Sequence, residues 1–169
     1  MNTMPWQGVE EIDWEQFAAL SDKLTEQLAS RRVESVVGIE RTGLFPATLV
    51  ACSLCCELFP ARLVRSPRTQ VDGLALPPDT KHSVIAVIDE VAHTGGTLAF
   101  VAGHLRMLGV SHVITASLVS HSWADPAPDA VALVTDAFVV FPWEHRAYVD
   151  SRWQTHPDVR RWLWQQGRK

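Results

Sequence analysis

The stretch VIAVIDE, residues 84–90, restricts the fold more than any other part of the chain. Its first five residues are apolar without interruption, and a strand apolar on both sides has to be covered on both faces. That is the condition of a parallel strand between layers of helices, rather than of a half-exposed antiparallel one. The run stops at Asp89 and Glu90, and the loop that follows leads into a helical pattern over 97–109, closed by Gly109.

The remaining segments supply the layers that such a strand needs. Trp14, Phe17, Leu20, Leu24 and Leu28 recur at helical spacing, with Asp13 and Gln16 placed as a capping pair, which predicts a helix over 13–31. A short β-branched strand is expected at 33–39, then a helix at 44–58 with Pro46 in its first turn. Strands are expected at 61–65, 112–119 and 137–141, and a terminal helix at 156–169. Residues 66–83 carry three prolines and a glycine and read as a long loop, of the kind that is usually functional or mobile. Strands alternating with helices imply an α/β fold, a mostly parallel sheet flanked by helices. No repeat, low-complexity tract or boundary interrupts it, so a single domain over 1–169 is expected.

Composition removes several classes of function. With 47% hydrophobic and 20% charged residues the 169-residue chain has the make-up of a globular domain with a real core. No apolar stretch approaches a membrane span and the N-terminus is too acidic and polar for a signal peptide, so no membrane role and a cytoplasmic setting are expected. A net charge of −4 argues against nonspecific nucleic-acid binding, which draws on neutralisation of phosphates. Cys52, Cys55 and Cys56 read as packed or partly exposed helical thiols, a metal or redox role being the alternative.

Chemistry is concentrated at the end of the 84–90 strand, because ligands of open α/β sheets bind outside the carboxyl ends of strands. Gly95 and Gly96 let the backbone close around an anion, Thr94 and Thr97 add hydroxyl donors, and the helix start at 97 contributes free N–H groups. Two acids beside an anion cradle suit a ligand with a phosphate and either vicinal hydroxyls or a bound Mg²⁺; a sugar phosphate has both. A Gly-rich turn that merely connects strand to helix is the plain alternative. The segment is neither a Walker A loop nor GxGxxG.

The combination of apolar strand, two acids, three residues and TGGT resembles the ribose-phosphate motif of the type I phosphoribosyltransferases. VVGIERTGLFPA (36–47) is similar to that family's early strand and pyrophosphate loop, and AFVVFPWE (137–144) to the late segment of its purine branch, especially microbial xanthine/hypoxanthine enzymes. The resemblance runs collinearly from about residue 33 to 146. It implies the family's fold, with a flexible loop about 66–83, a small hood about 124–150 and a C-terminal helix, and it implies Mg²⁺-dependent transfer from 5-phosphoribosyl-1-pyrophosphate (PRPP) to a nitrogenous base. Carried over, Asp89 and Glu90 would hold the ribose hydroxyls and help retain Mg²⁺, and His93, Thr94, Gly95, Gly96 and Thr97 would seat the 5′-phosphate. Arg41, Thr42 and Gly43 would contact pyrophosphate. Phe138, Val139, Trp143 and His121 would line the base site, and Glu144 would reach a second Mg²⁺ through water. The 66–83 loop would be the closing flap, and a homodimer is expected.

Three departures from the family pattern bear on activity. His93 replaces the usual acid, leaving open a catalytic imidazole, a phosphate-loop donor or lost activity. Thr42 replaces a usual glycine, and no lysine stands in ASLVSHSW where purine members read the 6-oxo group. A non-catalytic sensor of PRPP or a nucleotide is therefore an alternative, and a hydrolase or another sugar-phosphate transferase a third.

Overall fold

The strand that opened the sequence reading lies at the centre of the larger of two units. The structure is a computed structural model that describes residues 6–64 and 68–165. Contacts divide it into one unit from Ala19 to Thr135 and another formed by the residues up to Ala18 with those from Asp136 onward.

The first helix, α1 (Trp14–Ser30), starts in the smaller unit and continues through the larger. Its start is set by reciprocal bonds: the Gln16 N–H donates to Asp13 Oδ1 at 2.8 Å, and the Asp13 N–H to Gln16 Oε1 at 2.9 Å. This is the expected capping pair, which satisfies otherwise orphaned donors. In the larger unit six strands follow in the spatial order β4-β3-β2-β5-β6-β7; the sequence-first strand β1 lies elsewhere. They are β2 (Ser35–Ile39), β3 (Glu57–Val64), β4 (Gln70–Asp72), β5 (Val84–Ala92), β6 (His112–Ser120) and β7 (Ala130–Val134). All neighbours are parallel except β4, which runs antiparallel along β3. Helix α2 (Leu44–Leu54) packs on β2 and β5, and α3 (Gly96–Met107) on β5 and β6.

One face of the sheet buries Val37, Ile39, Ile85 and Val87 against Leu98, Val101 and Leu105 of α3. Each such side chain contributes roughly 1.5–3 kcal/mol by leaving water. A Cβ at Gly38 would lie 2.7 Å from the Ala47 Cβ, so β2 gives up a side chain to let α2 approach. On α1, Leu24 and Leu28 are fully buried, while Gln27 turns to the edge strand β7. Its amide donates to the Val131 carbonyl at 2.9 Å and accepts the Val131 N–H at 3.2 Å, and Lys23 Nζ donates to the Ala132 carbonyl at 2.5 Å. Side chains thus satisfy the Val131 N–H and the Val131 and Ala132 carbonyls of this edge strand.

In the smaller unit β1 (Val9–Glu11) and β8 (Phe138–Val140) form a parallel pair, and β9 (Arg146–Val149) and β10 (Arg152–Thr155) a hairpin before α4 (Pro157–Gln165). Asp150 and Ser151, both left-handed at φ 51° and 59°, make its two-residue turn. Around the 137–144 stretch, Phe141 is buried and stacks on Trp143 at 4.8 Å, with Phe17 set edge-on to Trp143 at 5.2 Å.

Several sequence expectations change here. The helix expected to 58 stops at Leu54: Cys55 turns left-handed at φ 52°, and pairing of Glu57 with Ser35 begins a strand four residues before the expected 61. Sheet pairing overrides the helical propensity of CCEL. Cys55 and Cys56 are therefore not helical; Cys52 and Cys55 are exposed and Cys56 half-buried. Burial first, and Cys55 second, push the Cys56 thiol above its ordinary range, which keeps it protonated. Within 66–83, which reads as a loop, β4 and a 3₁₀ turn at Pro78–His82 occur, while 65–67 lie outside the described residues. The 137–141 strand narrows to β8 and pairs with β1 rather than joining the main sheet. The terminal helix begins at Pro157, its last expected residues, 166–169, again falling outside the described ones. Among the described residues no helix is long and apolar enough to cross a membrane.

Candidate active site

Strand β5 carries Asp89 and Glu90 near its carboxyl end, and the loop after it turns into α3 at Gly96. Gly95 makes the turn possible. Its φ is +75°, and a Cβ there would overlap the carbonyl oxygen of Pro126, so a side chain is excluded on both counts. Gly96 differs: its nearest neighbour would be Thr94 Oγ1 at 3.5 Å, an ordinary contact. Thr94 Oγ1 accepts the Gly96 N–H at 3.4 Å, and the Gly95 carbonyl accepts the Ala99 N–H at 3.0 Å to begin the helix. Thr97 stands in the first turn of α3, where backbone N–H groups lack intrahelical acceptors and favour an anion.

A second loop reaches the same acids from β2. Gly43 packs so closely that a Cβ would lie 2.7 Å from the Ile39 carbonyl oxygen and 2.8 Å from Asp89 Oδ1. Thr42 Oγ1 donates to Glu90 Oε1, and the Glu90 N–H donates to Asp89 Oδ1 at 3.0 Å. The other carboxylate oxygen, Glu90 Oε2, is buried with no hydrogen-bond partner among the described residues. Buried polar atoms are rarely left so, and a ligand hydroxyl or cation would supply what is missing. Arg41 is exposed, joined to Glu40 by a cis peptide bond.

Segment 121–126 braces the anion loop from its other side. The His121 N–H donates to the Ala92 carbonyl at 3.2 Å, and the Asp125 N–H to the Thr94 carbonyl at 3.1 Å. His121 is 2% exposed, and its Nδ1 lies 2.5 Å from the Thr135 carbonyl, so Nδ1 carries the proton in that bond. The His93 ring stacks on His121 with centroids 4.9 Å apart, and His121 stacks on Trp123 at 4.7 Å. Desolvation first, then the neighbouring His121, lower the His93 pKa below the ordinary imidazole value, against a smaller upward pull from Glu90. His93 thus favours its neutral form. Trp123 was missed by sequence reasoning; only the ring-rich spacing HSW hinted at it.

The larger unit therefore gathers Arg41, Thr42, Gly43, Asp89, Glu90, His93–Thr97 and His121. The remaining expected site residues belong to the smaller unit. There Phe138 stacks on Trp162 at 5.3 Å and meets Trp6 edge-on at 5.6 Å, Val139 is buried in β8, and Trp143 sits among Phe141, Phe17 and Trp14. Glu144 Oε2 accepts the Phe141 N–H at 3.1 Å, closing a one-turn 3₁₀ helix.

Among the described residues no three His, Cys, Asp or Glu side chains converge as an all-protein metal cage. An Mg²⁺ ion is commonly held by one or two carboxylates together with substrate phosphates. Asp89 and the unsatisfied oxygen of Glu90 fit such a shared site.

Comparison with known proteins places this geometry in context. A family model described as phosphoribosyl transferase domain matches residues 10–150. A xanthine-guanine phosphoribosyltransferase of Chromohalobacter salexigens is 28% identical over 145 residues, 82% of this chain and 86% of that one. Among solved structures, a purine phosphoribosyltransferase from Pyrococcus horikoshii aligns with a TM-score of 0.73 at 24% identity, over 84% of this chain and 98% of that chain. A xanthine-guanine-hypoxanthine phosphoribosyltransferase of Helicobacter pylori aligns at 0.72 and 20% identity, over 80% and 92%.

Proposed function

The chain belongs to the phosphoribosyl transferase domain family, and from that premise we propose that it transfers the phosphoribosyl group of PRPP to a purine-like base, with Mg²⁺, releasing a nucleoside monophosphate and pyrophosphate. A purine-like acceptor is favoured by the similarity to the Chromohalobacter enzyme and by the PWE segment at 142–144.

The observation that carries the reading is the meeting of two glycine-shaped loops at one pair of carboxylates, one of whose oxygens is buried and unsatisfied. The 93–97 loop receives the 5′-phosphate on its N–H groups and hydroxyls. Asp89 and Glu90 accept hydrogen bonds from the ribose hydroxyls. Arg41 and the Thr42–Gly43 backbone face the pyrophosphate, Arg41 countering the negative charge that develops on it. A base nitrogen forms the new bond to C1′ as the C1′–O bond breaks, the electron pair leaving on pyrophosphate and the base proton passing to a nearby acceptor. When bound, Mg²⁺ would neutralise pyrophosphate charge, with Asp89 and Glu90 the residues that fit it. Catalysis of this kind is chiefly orientation and electrostatic stabilisation. Phe138, Val139 and Trp143 are assigned to the base side, Glu144 to a second, water-mediated Mg²⁺ contact, and the protein is expected to work as a cytoplasmic homodimer.

The test is pyrophosphate release from PRPP, Mg²⁺ and a panel of purine and pyrimidine bases. Turnover with a purine is expected. PRPP binding without turnover on any base would favour the second reading, a non-catalytic PRPP or nucleotide sensor, which Thr42, His93 and the missing lysine motivate.

A further inference from the structure

The end of the main sheet away from Asp89 carries a second concentration of polar groups. There the starts of β5 and β6 meet the C-terminal ends of α1 and α3 around a cavity of about 350 Å³. Arg31, Arg106, Ser111 and His112 line it together with the apolar first residues of the two strands. No acid is among the described residues that line it, although the chain as a whole has a net charge of −4. Asp89 lies five residues beyond Val84 on β5, about 17 Å of extended chain. The cavity and the candidate active site are therefore at opposite ends of the sheet.

Cations near helix C-termini commonly do no more than offset the helix dipole. These two leave their own helices. Arg31 Nη2 donates to the Asp129 carbonyl just before β7, and Arg106 Nη2 to the Val113 carbonyl of β6 at 3.4 Å. Each guanidinium is thereby held through one nitrogen and keeps its other N–H donors for a further acceptor. Neither makes an ion pair among the described residues, where the only carboxylate so engaged is Asp158, with His156 and Arg161. Two acids close by are committed to the backbone and to Thr115. Glu34 Oε2 accepts the Val84 N–H at 3.0 Å, and Asp129 Oδ2 accepts the N–H and the hydroxyl of Thr115 at 2.8 and 2.9 Å. The Ser111 N–H donates to the Lys81 carbonyl at 3.1 Å, which fixes the loop carrying Ser111 and His112 into β6. All four polar lining residues are exposed, so a ligand reaches them without any rearrangement of the fold.

We propose that Arg31 and Arg106 form a second anion site, one that takes a diphosphate group. A guanidinium presents its N–H groups as a fork that matches phosphate oxygens two at a time. Two forks arriving from separate helices suit a ligand with two phosphoryl groups, and the cavity is larger than a single phosphate needs. The Ser111 hydroxyl and the His112 ring add hydrogen-bonding groups at the same rim. The inference does not depend on the transfer reading, since none of these residues belongs to the candidate active site. Inorganic pyrophosphate and the diphosphate of a nucleotide offer the same chemistry to the two forks.

The test follows the backbone amides of the full chain by NMR, without Mg²⁺, as inorganic pyrophosphate or GDP is added. Saturable shifts at 111–113 are expected, separate from any change at 93–97. A response to pyrophosphate identifies the free anion as the occupant; a response to GDP alone identifies the diphosphate of a nucleotide. Arg31→Gln and Arg106→Gln should each weaken this binding about tenfold, the scale of a lost hydrogen bond to a charged group. The double variant should abolish it, while PRPP still shifts the 93–97 amides as in the parent. Arg106→Lys, which keeps the charge and loses the fork, should fall between parent and Arg106→Gln. Absence of saturable shifts at 111–113 with either compound would overturn the proposal. So would shifts that persist in the double variant, or equal shifts from sodium chloride at matched ionic strength, which would mark simple screening. None of these results bears on the transfer reading, which is tested by turnover.

Discussion

The two loops that converge on Asp89 occupy equivalent places, each leaving a parallel strand and entering a helix, yet they are held in shape by different means. Between β5 and α3 the backbone itself decides: Gly95 is left-handed and pressed against the Pro126 carbonyl. Between β2 and α2, Gly43 has an ordinary φ of −62° and is required by what surrounds it, while Thr42 ties the loop to Glu90 through its hydroxyl. A seat for an anion is built from N–H groups and needs a fixed backbone. A loop facing a departing group can instead be held by a bond that a ligand is able to replace.

Substitutions that remove one means at a time break this contrast apart. The largest effect belongs to Gly95→Ala, which meets both an unfavourable φ and a backbone oxygen and should cost at least about 3 kcal/mol in denaturant unfolding, with PRPP binding lost in calorimetry. Gly43→Ala should cost about 2 kcal/mol, because Asp89 can yield but the Ile39 carbonyl cannot. Thr42→Val should cost about 1 kcal/mol by leaving both Glu90 oxygens unsatisfied, and Thr42→Ser should restore it. Gly96→Ala should leave stability level or raise it by about 0.5 kcal/mol while weakening PRPP binding, which would separate a glycine kept for the fold from one kept for the ligand. The smallest effect concerns pH. Because the folded His93 pKa lies below its unfolded value, its contribution to stability is intact above the ordinary imidazole range and is lost as pH falls through the lowered folded value. His93→Asn should flatten that slope in unfolding measured at several pH values.

These differences explain which parts of the molecule could be read in advance. Val84–Ile88 and the α1 periodicity announced themselves because burial on both faces and a helical stripe leave strong patterns. Asp13 with Gln16 did the same for a helix start. Of the strands of three to five residues, β2 and β8 showed as β-branched apolar runs, whereas β1, β4, β7, β9 and β10 left little, being defined by their partners rather than by their own alternation. The CCEL stretch misled for the same reason: its helical propensity lost to pairing with Ser35. At the site, TGGT marked the anion loop because a left-handed glycine leaves its trace in sequence. The Thr42–Glu90 bond and the stacking of His93 on His121 join residues 48 and 28 positions apart, and no local pattern encodes such neighbours.

Gln27 has a consequence for assembly. By lending its amide to Val131 in both directions it occupies the slot that a further strand would take, so the sheet is terminated at that margin. Two copies could not fuse their sheets across β7 without first evicting that glutamine and the lysine one turn before it. Association through this margin would have to use side-chain surfaces instead of a shared ladder, and replacing Gln27 with alanine would reopen it to strand pairing.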